Sequence, residues 1–186
     1  MKAKWGRHFP LRTVTLLLVQ ALIVLPLPTL ATGEHNVHLY GALVAEPCVI
    51  APGDEEITLD FGTIIDKYLY LNTRTLGQPF EIRLRECDLT LAKSVRVMFT
   101  GKKNSVLPDL LAIDGGSEAT GIAIGFETPS GQPMPLNTQS DKWLLQERGG
   151  AIAMKAYVQG EPQAIAGQTI GRGAFSAVAI FNLEYE

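Results

Sequence analysis

"GAFSAVAIFNLEYE", residues 173–186, decides how the rest of the chain is to be read. Phe175, Ala177, Ala179, Phe181, Leu183 and Tyr185 fall on every second position, the period of a strand that buries one face. Val178 and Ile180 add apolar groups to the other face, as in a strand covered on both sides. Such a strand belongs at the centre of a sheet, or paired along both edges. Yet it occupies the last residues of the sequence, where chains usually fray. Its second edge needs a partner.

The same alternation recurs upstream. It is visible in "VHLYGALV" (37–44), "ITLDFG" (57–62), "FEIRLREC" (80–87), "SVRVMF" (94–99), "GIAIGF" (121–126) and "AIAMKAYV" (151–158). Between these runs lie turn-forming pieces such as "APGDEE", "DGGSEATG", "TPSGQPMP" and "GEPQAIAGQTIGRG". Many short strands at this spacing predict an all-β sandwich. No long helix is expected; 65–75 and 138–147 have room for about one turn.

Residues 1–31 stand apart. Lys2, Lys4, Arg7 and Arg12 precede an apolar run from about Val14 to Leu25, closed by Pro26 and Pro28 and by the small residues up to Ala31. That is the layout of a secretory signal peptide cleaved after Ala31. The run is too short for the roughly 20 residues of a membrane span, so no membrane insertion of the mature chain is expected. The remaining 155 residues carry 12 Lys and Arg against 19 Asp and Glu, a net charge of −7. An acidic chain without clustered cations predicts no nucleic-acid partner.

Cys48 and Cys87 are the two cysteines, and both fall after the leader. An even count in an exported chain points to one disulfide. Zinc would need further ligands at short spacing, and only His35 and His38 remain in the mature part. No HExxH, CxxC, phosphate-binding loop or nucleophile elbow is present, so no enzyme, cofactor or metal site is expected. Asp54-Glu55-Glu56 after Pro52-Gly53 reads as a solvated turn, and "DGGSE" (114–118) lacks the alternating oxygen ligands of a calcium loop.

The order of these features resembles the pilins of chaperone–usher fimbriae, the type 1 and P pilus subunits. The matching residues are "VHLYGALVAEPC" with Gly41 seven positions before Cys48, "ITLDFG" between the cysteines, "FEIRLRECD" around Cys87, and the final strand with Gly173 ahead of it and Tyr185 next to last. The resemblance implies an incomplete immunoglobulin-like sandwich, lacking its seventh strand and completed by another chain. It also implies a division into a leader (1–31), a donor-strand extension (32–43) and a pilin domain (44–186). His35, Val37, Leu39, Gly41 and Leu43 would be the face of the donor strand; Gly173, Phe175, Ala177, Ala179, Phe181, Leu183 and Tyr185 would line the chaperone and acceptor groove. The implied partners are a periplasmic chaperone that grips the C-terminal carboxylate, an outer-membrane usher and neighbouring pilin subunits. The implied destination is the fimbrium at the cell surface. An adaptor, terminating or adhesin-like subunit, binding a ligand through loops such as 102–119 or 127–141, is the alternative within the same family.

Overall fold

A computed structural model describes residues 39–186. Nine strands and two short helices follow one another: β1 (Val49–Ile50), α1 (Asp66–Asn72), β2 (Gln78–Arg85), β3 (Ser94–Thr100), β4 (Leu111–Ala112), β5 (Ile122–Glu127), β6 (Pro133–Met134), β7 (Trp143–Leu144), β8 (Gly150–Gly160), α2 (Pro162–Gly167) and β9 (Ile180–Tyr185). One sheet has the order β1-β2-β8-β5-β4, with β6 added to β5; the other has the order β7-β3-β9. Every pairing is antiparallel.

The alternating runs supply the two inner faces. Ile82 and Leu84 of β2, Ile124 and Phe126 of β5, and Ile152, Met154 and Ala156 of β8 meet Val95, Val97 and Phe99 of β3 in one core. Phe99 stacks on Phe126 at 4.1 Å between centroids, and Phe80 meets both rings edge-on at 6.0 and 6.4 Å. Offset and edge-on contacts of this kind favour aromatic pairs beyond their buried area. This is the sandwich the periodicity predicts.

β5 departs from the alternation, because all six of its residues are buried. Its outer face carries Ala123, which packs with Tyr157 of β8 and with Leu107 and Leu110 of the loop between β3 and β4. Gly125 lies opposite Tyr157 in register, and a Cβ there would come within 2.2 Å of the ring. Glycine is the residue that leaves this space free. Glu127, only 3 % exposed, receives Arg74 at 2.7 Å, and the Arg74 guanidinium lies 4.3 Å from the centre of the Tyr157 ring. A carboxylate this deep needs such a partner. Burial raises the pKa of the Tyr157 hydroxyl above its usual range.

Cys48 and Cys87 form a disulfide, joining the approach to β1 to the end of β2. Beside it, Arg83 binds Asp54 through its side chain and backbone N–H, fastening the turn after β1 to β2. The short helix over Asp66–Asn72 falls within 65–75; the segment 138–147 holds β7 instead of a helical turn.

Two expected strands take another form. Residues 57–61 pair with no strand among the described residues, although Ile57, Leu59 and Phe61 turn half-buried faces to the core. Residues 39–44 form no regular secondary structure, and Leu39, Tyr40 and Leu43 are exposed. His35 and Val37, and the leader over 1–31, lie outside the described residues.

Candidate functional site

β9 pairs with β3 from Val95↔Tyr185 to Thr100↔Ile180, and with no other strand among the described residues. It is therefore an edge, not the central strand its two-sided apolar pattern predicts. Val178 and Ile180, on its outer face, are 72 % and 64 % exposed. The period-two pattern holds nonetheless. Phe175, Ala177, Ala179, Phe181, Leu183 and Tyr185 are all half-buried and all pack on the core, although regular pairing begins only at Ile180.

The result is a row of apolar side chains that one neighbour covers incompletely. Ile57, Leu59 and Phe61 approach the same core as half-buried residues. At the Phe175 end the two runs face each other: Phe61 and Phe175 lie 6.2 Å apart between ring centres. Leu59–Ile64 and Gly173–Phe175 there enclose a cleft of about 510 Å³. A second cavity, about 190 Å³, continues from Ile64 and Phe175 between the start of α1 and residues 170–173, with Ala119, Ile122 and Val158 as its floor.

Gly173 lines both spaces, but its backbone conformation is what the site uses. Its φ of +143° is one that side chains resist, and a Cβ there would lie 2.4 Å from Glu118. It turns the chain into the row that Phe175 begins.

The far end of β9 is held by charge. The Glu186 main-chain oxygen accepts the N–H groups of Lys93 and Ser94, while its side chain binds Arg96 at 2.9 Å and also Lys142. Those two cations hold the Glu186 carboxyl below its usual pKa, Lys142 having the larger effect. Tyr185 is shifted the other way, its hydroxyl raised first by burial and then by nearby Glu46. At the opposite end Arg172 donates two hydrogen bonds, 2.6 and 2.8 Å, to one oxygen of Asp66, which lowers the Asp66 pKa.

The expected groove residues thus lie together along one face, with Gly173 at their head. Gly41 and Leu43 lie in a stretch without regular structure, and a Cβ at Gly41 would meet nothing within 4 Å. The sequence reading missed Ile64, Asp66, Leu69, Ile170 and Arg172 around the smaller cavity. Their spacing carries no signal, because Asp66 and Arg172 are 106 positions apart.

A β-sandwich with one open apolar edge defines the class: an immunoglobulin-like sandwich of the pilin type. The chain belongs to the fimbrial protein family, whose model, described as "Fimbrial protein", matches residues 37–186. It is 32% identical to Fimbria A protein of Serratia marcescens, over 83% of this chain and 86% of that one. It is 33% identical to the putative minor fimbrial subunit PmfF of Proteus mirabilis, over 78% and 81%. Among solved structures it resembles the P pilus rod subunit PapA, with a TM-score of 0.65 and 27% identity, over 76% of this chain and all of that one. A chaperone–usher pilus structure gives a TM-score of 0.66 at 27% identity, over 86% and 100%. The protein is a fimbrial subunit of a chaperone–usher pilus.

Proposed function

We propose that this subunit is a structural unit that polymerises by donor-strand exchange, and so builds a surface fibre that supports bacterial adhesion. One observation carries the reading: β9 and the residues leading into it carry a continuous half-buried apolar row beside an edge where no strand of the described chain pairs. An open edge of this kind is an aggregation hazard unless another chain covers it. Addition of an extended strand supplies main-chain hydrogen bonds along the edge and side chains for the row. During export through the periplasm a chaperone provides that strand, and at the outer-membrane usher a neighbouring subunit replaces it.

The strand offered in return is the extension 32–43 of this chain, which follows a leader at 1–31 and precedes the pilin domain at 44–186. His35, Val37, Leu39, Gly41 and Leu43 share one side of it when it is extended. Glycine in that row permits close approach of the neighbour's backbone.

Gly41→Leu is the test. On this reading Gly41 belongs to the donated strand and not to the domain 44–186, so the subunit's own stability should not change. Incorporation into SDS-resistant polymers should slow, while the melting temperature of the chaperone-bound subunit stays that of the native sequence. Removal of 32–43 should leave a subunit that accepts a strand and donates none. Normal polymerisation by Gly41→Leu, or a melting temperature lowered as by a core substitution, would remove the donor assignment.

A further inference from the structure

The 190 Å³ cavity beside Phe175 has two walls from separate parts of the chain. One is the start of α1 with the residues just ahead of it, Ile64 to Leu69; the other runs from Ile170 to Phe175. The second wall is pinned from beneath. Thr120 and Gly171 exchange backbone hydrogen bonds of 3.1 and 3.2 Å, and the Gly173 backbone sits tight against Glu118. The first wall reaches α1 through residues 51–65, which form no strand or helix.

Two polar ties cross between the walls. The Tyr70 hydroxyl accepts the Ile170 N–H at 3.2 Å, well along α1. Asp66 and Arg172 make the other tie, and Asp66 is the first residue of α1. It lies two positions from Ile64, which lines both the cavity and the cleft of the groove. The Asp66 side chain is 13 % exposed and that of Arg172 is 79 % exposed, so the pair spans the rim from inside to outside.

We propose that the Asp66–Arg172 ion pair is a clasp across the mouth of this cavity, setting how fast a strand enters and leaves the groove but not how tightly it is held. The proposal rests on the groove reading above. A pair open to water on one side is weak, so it releases readily and favours the closed mouth by only roughly two- to fivefold. The clasp joins two walls of the acceptor and belongs to neither the β9 edge nor the apolar row along it. Breaking it therefore speeds entry and exit by the same factor. A direct contact with the added strand would change the dissociation rate alone, and so the affinity.

The experiment uses the chain 44–186, which on the reading above accepts a strand and donates none, and a fluorescein-labelled peptide of residues 32–43 as the added strand, followed by anisotropy, with thermal melting in parallel. Asp66→Asn and Arg172→Gln should each raise both rate constants roughly two- to fivefold, with Kd unchanged and the melting temperature lowered by no more than about 4 °C. The double exchange Asp66→Arg with Arg172→Asp should restore the slow rates. Salt at about 0.5 M should speed the native chain and leave Asp66→Asn unmoved, because an exposed pair is screened. Native rates in both single variants would overturn the clasp and leave the groove standing. A change in Kd carried by dissociation alone, or a fall in melting temperature well beyond about 4 °C, would make the pair a binding contact or a structural staple and overturn it equally. Failure of the native chain to bind the peptide would overturn the groove reading, and the clasp with it.

Discussion

The turn composition around Asp54 predicts a solvated carboxylate, and the fold buries it against Arg83 instead. The side-chain hydrogen bond from Arg83 is the main reason its carboxyl is held at about 2, and the Arg83 backbone N–H adds to it. A carboxyl depressed in the folded state stabilises the fold above its unfolded pKa, and that stability is lost as pH falls toward the folded value. The loss should therefore run from about pH 4 down to about 2. Asp54→Asn should melt lower than the native chain at neutral pH, and the gap should close as the pH is taken down through that window. Melting curves at stepped pH check this; a gap that stays constant to pH 2 would detach the effect from the carboxylate.

Among the elements, β9 has the most unusual circumstances. Its six residues hold the chain to β3, carry half of the apolar row, and reach Arg96 and Lys142 through Glu186. Removing Phe181–Glu186 exposes Val97 and Phe99 of β3 as well as deleting three groove residues. At about 25 cal/mol for each Å² of apolar surface returned to water, the loss is several kcal/mol. The truncated subunit should fail to accumulate in the periplasm and should not co-purify with a chaperone. Native levels of the truncated chain would show that β9 is not the element on which capture depends.

For the whole molecule, the disulfide and the open edge pull in opposite directions. A sandwich short of one covering strand leaves Phe175, Phe181, Leu183 and Tyr185 half-buried, so its native state is stabilised by less apolar burial than a closed sandwich. Cys48–Cys87 acts on the other side of the equilibrium by restricting the unfolded chain across a separation of 39 residues. A loop of that size is worth about 4 kcal/mol in the chain-entropy account. Cys48→Ser with Cys87→Ser should lower the urea midpoint of the mature subunit by a corresponding amount. Addition of the 32–43 peptide should recover part of the loss by mass action. A variant as stable as the native chain would mean that native strain cancels the gain.

The sequence by itself determined which faces are buried. Period-two spacing is a local record of a strand half in water; β2 and the row Phe175–Tyr185 follow it residue for residue, and β3 and β8 follow it apart from Ser94, Gly150 and Tyr157. The disulfide was legible too, because an exported chain with two cysteines has one pairing available. Only the tertiary structure decided which edges are paired. Residues 57–61 carry the same alternation as β2, yet form one side of a cleft; β9 looks central by composition, yet lies at an edge. β5 is buried on both faces because a distant loop and Tyr157 cover it, and Asp66 meets Arg172 from 106 positions away. Alternation reports how a side chain meets water, which depends on its own strand. Pairing depends on which other segments arrive beside that strand, and no strand of the described residues arrives beside the free edge of β9.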